Sequence, residues 1–184
     1  NKKHKKFVNN IKLNNSIKVT GGRTRQESTF RALKFIKKMN CKKVLIHDVA
    51  RPNPSKKIIS KIINNLDHNH AVVPLIKVND ATKRYKKKFI FKNIQRDGLG
   101  FSQTPQGFTF NKIIEKHKIY RKNLFDDDSA LFTTSGDRVK IVRGSKTNLK
   151  ITVKEDLSIY KSFKKEKTHF GIGFDIHKLV KNRK

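Results

Sequence analysis

Apolar residues along the chain recur with two periods. Ser16-Ile17-Lys18-Val19-Thr20 alternates, as a half-buried strand does. Val44–Ile46 and Ala71–Ile76 are unbroken apolar runs, the pattern of buried strands. Between the strands the spacing turns helical. Phe30, Leu33, Ile36 and Met39 share one face, and Ile58, Ile59, Ile62, Ile63 and Leu66 form a broader one. Thr24-Arg25-Gln26-Glu27 reads as a capping box after the Gly21-Gly22 turn. Asn53-Pro54 opens the second helix, with Asn as N-cap and Pro in the first turn. Strand, helix, strand, helix, strand predicts an α/β sheet with right-handed parallel crossovers.

The rhythm breaks from Asp80 to Thr104. This basic stretch holds one short strand, Phe89-Ile90-Phe91, then Arg96-Asp97-Gly98, and reads as an arm or hairpin leaving the sheet. Such an arm needs a partner surface, so a homodimer through residues 80–104 is expected. Thr109 caps a helix carrying Phe110, Ile113, Ile114 and His117, with His117 read as a packed residue. Strands follow at Arg138–Val142 and Leu149–Thr152. Thr152-Val153-Lys154-Glu155 is a second capping box, whose helix turns Leu157, Tyr160 and Phe163 inward. Residues 161–167 are charged and read as a linker, and Phe170–His177 as the first strand of a second unit.

Composition adds little to the fold and more to the partners. In 184 residues, 45 Lys and Arg against 14 Asp and Glu give a formal charge of +31. Nucleic-acid binding would explain that charge. The lysines are scattered through every segment, however, and no aromatic residues interleave with them in an RNA-binding pattern. A phosphorylated small molecule is the better-matched partner. The single cysteine, Cys41, suits a reducing, cytoplasmic compartment. No apolar run is long enough to span a membrane. The chain starts at Asn1 and ends just after a promising motif, so it reads as a fragment cut at both ends.

Three places carry candidate chemistry. Val44–Ile46 ends in His47-Asp48, and Arg51-Pro52 forces a turn, so an acid and a guanidinium meet at the C-terminal end of a strand. In open α/β sheets that rim is where ligands bind. Asp126-Asp127-Asp128-Ser129 is either an acidic helix start matching the macrodipole or part of a divalent-cation site. Asp175 and His177 alternate onto one strand face and could be two zinc ligands, with a third needed from elsewhere.

Taken in order, Gly21-Gly22, Arg25-Gln26-Glu27-Ser28, His47-Asp48-Val49-Ala50-Arg51-Pro52, Asp80-Ala81-Thr82-Lys83-Arg84, Arg96-Asp97-Gly98-Leu99, Thr104-Pro105-Gln106, Asp127-Asp128-Ser129-Ala130 and Asn148-Leu149-Lys150-Ile151-Thr152 resemble the 2-C-methyl-D-erythritol 4-phosphate cytidylyltransferases. Gly171–His177 resembles the opening of the 2,4-cyclodiphosphate synthases, an enzyme some bacteria fuse to the first. The resemblance implies a Rossmann-like nucleotidyltransferase sheet with helices on both faces over residues 1–163, a linker at 164–169 and the start of a second α/β domain at 170–184. It implies cytidylyl transfer from CTP to methylerythritol phosphate with loss of pyrophosphate. The second, metal-dependent enzyme would close the cyclodiphosphate with loss of CMP. By this resemblance Asp48 and Lys150 are catalytic, and Ser28, Arg51, Thr82 and Arg96 bind substrate, Arg96 across the dimer. Asp48 also helps hold magnesium, while Asp175 and His177 hold zinc or another divalent cation.

Two departures from the family pattern stand out. The Gly-rich first turn that holds the triphosphate would precede Asn1, and Asp80-Ala81 stands where Asp-Thr is common, so the hydroxyl is either lost or supplied by Thr82. As given, the chain is expected to perform neither reaction. Another sugar nucleotidyltransferase and a basic nucleic-acid-binding module remain as alternatives.

Overall fold

The computed structural model describes residues 15–163. The expectations for the N-terminal Lys/Asn-rich stretch, the 164–169 linker, the second domain at 170–184 and its ligands Asp175 and His177 lie outside the described residues.

The elements run α1 Arg25–Ile36, a short 3-10 turn Lys37–Met39, β1 Lys43–Ile46, α2 Lys56–Asn65, β2 Ala71–Lys77, β3 Thr82–Lys86, β4 Phe89–Ile94, β5 Gly100–Ser102, β6 Gln106–Thr109, α3 Phe110–Ile119, α4 Ala130–Thr134, β7 Lys140–Arg143 and α5 Lys154–Phe163. The main sheet is mixed. β1 and β2 each pair antiparallel with β6, which lies between them, and β7 pairs parallel with β2. The two crossover strands are therefore not neighbours. A returning strand from the far side of the arm fills the gap, and strand periodicity could not show that. β5 pairs β2 on the same side as β6, and the register shifts by two residues across Gln103–Pro105. That displaced tripeptide borders the site.

Successive β2 residues point to opposite faces. Ala71 joins a core with Leu33, Phe108, Phe110, Ile113, Leu131 and Phe132, under α1, α3 and α4. Val72 joins Ile58, Ile62, Leu66 and Val142 under α2. Helices thus cover both faces of the sheet, as expected. Gly107 makes the close packing of α2 possible, because a Cβ there would sit 2.2 Å from Ile62.

Several boundaries differ from the sequence reading. Neither Ser16–Thr20 nor Leu149–Thr152, both read as strands, forms a ladder among the described residues. The helix after Pro52 starts later than Asn53, because Ser55 is the N-cap and accepts from the Ile58 N–H. At α1 Thr24 caps as expected, but Glu27 reaches back to the Arg23 N–H rather than to Thr24 itself. Asp156, not Glu155, closes the cap of α5, accepting from the Thr152 and Val153 N–H groups and the Thr152 hydroxyl. Helix α5 buries none of its residues, so Leu157, Tyr160 and Phe163 do not reach the core. His117 is packed as expected, 1% exposed.

The arm forms its own two-stranded sheet from β3 and β4. Tyr85, Phe89, Ile90 and Phe91 are all exposed on it.

Candidate active site

The site grows from the end of β1. Beyond Ile46 the chain turns, and the Arg51 N–H closes onto the Asp48 carbonyl at 3.0 Å. His47 braces this turn. Its Nε2 faces only the Arg51 carbonyl, at 2.8 Å, so that nitrogen carries the proton. Its Nδ1 then accepts from the Thr104 hydroxyl at 3.0 Å. The same Thr104 oxygen accepts from the Asp48 N–H at 3.0 Å. The displaced tripeptide between β5 and β6 thereby fixes the backbone that carries Asp48.

The loop after β7 delivers Lys150 to the same place. Asn148, 0% exposed, donates its amide to the Thr104 carbonyl at 2.8 Å. Gln103 donates to the Ser145 and Asn148 carbonyls and accepts from the Ser145 N–H. Arg51 donates to the Asn148 carbonyl at 2.7 Å and to the Ser102 carbonyl at 3.4 Å. The Ile151 N–H donates to the Ala50 carbonyl at 2.8 Å, which closes the loop onto the turn. The outcome is an ion pair, Lys150 Nζ to Asp48 Oδ2, at 3.0 Å. The ammonium is 46% exposed and the carboxylate 29%, so both face solvent.

Arg51 is half-buried. Burial pulls its guanidinium below its ordinary value, and the Asp48 carboxylate opposes that. It remains a cation, yet its two terminal nitrogens hold backbone carbonyls rather than facing outward. Arg51 Nε and Asn148 Oδ1 are buried with no protein partner.

The structure gathers Asp48, Arg51 and Lys150, but it does not join the other expected residues to them. Ser28 braces the Gly21-Gly22 turn, accepting from the Gly22 N–H at 2.9 Å and donating to the Thr24 carbonyl at 2.8 Å. Thr82 starts the arm, with its hydroxyl 3.5 Å from the Asp80 carbonyl. Arg96 lines a 560 Å³ cleft with Lys77, Asn79 and Leu99 and donates to the Asn79 carbonyl. The acidic cluster is not a cation cage. Asp127 accepts from Ser102, Gln106 and Ser129, whereas Asp128 accepts from Arg25 and His117. Among the described residues no three His, Cys, Asp or Glu side chains gather in a metal-binding arrangement. Thr104 and Asn148 were visible in the sequence as parts of motifs, and Gln103 was not. Only the displaced strand shows that they form the floor.

The fold is a mixed α/β sheet with helices on both faces and an acid–lysine ion pair just beyond the end of β1. The model of the family 2-C-methyl-D-erythritol 4-phosphate cytidylyltransferase matches residues 1–165, and the chain belongs to that family. It is 41% identical over 184 residues to the bifunctional enzyme IspD/IspF of Pelagibacter ubique, covering 100% of this chain and 48% of the relative. It is 39% identical over 167 residues to the 2-C-methyl-D-erythritol 4-phosphate cytidylyltransferase of Prochlorococcus marinus strain MIT 9515, covering 88% and 74%. Among solved structures, the 4-diphosphocytidyl-2C-methyl-D-erythritol synthase of Anaerococcus prevotii superposes with a TM-score of 0.75 at 32% identity, over 88% of this chain and 77% of that one. The bifunctional IspDF of Campylobacter jejuni gives 0.71 at 30%, over 84% and 39%. The chain spans about half the length of the Pelagibacter relative.

Proposed function

We propose that the full protein transfers a cytidylyl group from CTP to 2-C-methyl-D-erythritol 4-phosphate, releasing pyrophosphate. The observation that carries this reading is the solvent-facing Lys150–Asp48 pair at the end of β1, in a chain of this family. In the reaction an oxygen of the sugar-alcohol phosphate attacks the α-phosphorus of CTP. The bond from that phosphorus to the bridging oxygen breaks, and pyrophosphate leaves with the electron pair. No covalent link to the protein is needed. The chain must hold two anions together and neutralise the charge spread over the phosphoryl oxygens.

Lys150 supplies a mobile ammonium for that task. At rest Asp48 holds it in place, and arriving phosphate oxygens compete for it. Arg51 adds a fixed positive charge behind the turn. Asp48 is the carboxylate suited to hold magnesium, since that ion is commonly bound by one or two carboxylates together with substrate phosphates. Magnesium bound there would screen the triphosphate charge.

Ser28, Thr82 and Arg96 enter the proposal as substrate contacts. The Gly21–Ser28 turn would hold the nucleotide, and Arg96 would reach the methylerythritol phosphate of a second copy through the arm. A homodimer is therefore part of the reading, as is a cytoplasmic location. Among the described residues no helix is long and apolar enough to cross a membrane. The bifunctional relatives support a second, metal-dependent cyclodiphosphate synthase activity in the full protein, with Asp175 and His177 among its zinc or other divalent-cation ligands.

The test is pyrophosphate release by the full-length protein with CTP and methylerythritol phosphate, run beside ATP, GTP and UTP. CTP-selective turnover that Asp48→Asn abolishes supports the proposal. Equal use of other nucleotides would favour another sugar nucleotidyltransferase. No turnover with steep salt-dependent RNA binding would favour the nucleic-acid module.

A further inference from the structure

Asp128 is a carboxylate sealed from water, 1% exposed. Its two oxygens are taken by groups from different elements. Arg25 Nη1 donates to one, and His117 Nε2 donates to the other at 2.9 Å. A buried carboxylate is costly unless paired and hydrogen-bonded, so its partners are held firmly in place. Arg25 is the first residue of α1, directly after the N-cap Thr24. Two neighbours strengthen the hold. Gln26 donates to the Tyr120 carbonyl at 3.1 Å, and Phe30 stacks on the His117 ring at 5.9 Å. The opening turn of α1 is thus pinned to α3 and to the loop before α4.

The adjacent residue faces the other half of the site. Asp127 accepts from Ser102 Oγ and Gln106 Nε2, both at 2.8 Å. Ser102 also offers its carbonyl to Arg51, and Thr104, between these two residues, receives the Asp48 N–H. One dipeptide therefore ties the Gly21–Ser28 turn to the Asp48–Arg51 floor.

We propose that Asp128, acting through Arg25, is a positioning residue that holds the Gly21–Ser28 turn in register with the Asp48–Lys150 pair and so sets affinity for the nucleotide. The inference rests on the function proposed above, in which that turn contacts CTP. Asp128 itself touches no substrate. Its loss loosens the turn without removing a charge from the reacting phosphates. A residue with only a structural role would lower the active fraction, and so the apparent kcat, at constant KM.

The experiment measures steady-state kinetics of the full-length protein for wild type, Asp128→Asn, Arg25→Gln and the double variant, with melting curves for each. Asp137→Asn is the control, because it breaks the Lys116–Asp137 pair and the Ser135 hydroxyl bond to the same carboxylate, and none of the contacts of Asp128 or Arg25. The expected result is a KM for CTP raised about tenfold in both single variants, with kcat within about twofold and the KM for methylerythritol phosphate unmoved. That rise corresponds to about 1.4 kcal/mol. The double variant should be no worse than either single one, since both break the same link. Unchanged KM for CTP, a fall confined to kcat, or additive effects in the double variant each overturn the inference. Should Asp128→Asn fail to fold, Arg25→Gln, on a partly exposed residue, decides alone. Wild type without CTP turnover overturns the proposed function and this inference together, whereas turnover with an unmoved KM overturns the inference only.

Discussion

The floor of the site and the projecting arm solve opposite problems. In the floor, polar side chains are buried and mostly satisfied within the chain. Asn148 is 0% exposed, yet its amide and carbonyl hold Thr104, Arg51 and Gln103. In the arm, apolar side chains are uncovered, with Phe89 78% exposed on a ribbon of two strands. Two strands cannot bury a face against each other. Among the described residues the chain therefore positions Lys150 and Asp48 by itself, whereas the arm's apolar side chains are left uncovered. On the function proposed above, the floor serves the chemistry and the arm serves assembly with a second copy.

The largest effect should come from Lys150, the solvent-facing cation of the site. Lys150→Ala removes the ammonium but no buried contact, so it should cost about 10²–10³-fold in kcat and leave the fold intact. Pyrophosphate release and a melting curve on the same sample check both halves. A variant that keeps full rate would end the assignment of chemistry to this pair.

Asn148→Ala should be the larger blow to stability. It strands the Thr104 carbonyl and empties a buried site, for a cost of about 1–3 kcal/mol. Urea unfolding measures this. Since Asn148 also sets the loop carrying Lys150, kcat should fall as well. Lost stability with an unchanged rate would show that the floor does not position the lysine.

A smaller, pH-dependent effect belongs to Asp127. Burial alone would raise its carboxyl, but hydrogen bonds from Ser129, Gln106, Ser102 and the Ala130 N–H outweigh burial and hold it below the ordinary carboxylate value. A lowered folded-state value stabilises the protein above the unfolded value, about 3.9, and that stability is lost as pH falls through the folded one. The advantage of wild type over Asp127→Asn should therefore be about 1 kcal/mol and constant from neutral pH down to about pH 4, then shrink. Urea midpoints of both proteins across that range test the sign.

The same contrast explains what could be read from sequence. Period and capping residues located α1, β1, α2, β2 and the arm, because each is a local signal. The strand-end pair at Asp48 and Arg51 was legible for the same reason, since Pro52 announces the turn. Lys150 was legible only through its motif and was placed on a strand, whereas it sits on a loop tied down by the Ile151 N–H and Asn148. The insertion of β6 between β1 and β2 depends on pairing across more than sixty residues, as in Val44 with Phe108. No local period encodes that. The acidic run stayed ambiguous in the sequence because adjacent carboxylates can serve different elements, and Asp127 and Asp128 do.

The arm offers the smallest effect on the single chain and the sharpest test of the comparison. Phe89 and Phe91, on β4, are 78% and 64% exposed and so bury little in this chain. Replacing both with Ser should change the stability of the isolated chain by no more than about 0.5 kcal/mol. The same change removes two large apolar groups from any surface the arm forms with a second copy, and such patches mark interaction sites. Sedimentation of the full-length protein should then show a wild-type dimer become monomer, with turnover falling as Arg96 loses its place beside the partner's site. A wild type that is already monomeric, or a dimer indifferent to both substitutions, would take assembly away from the arm and leave its exposed aromatics without that explanation.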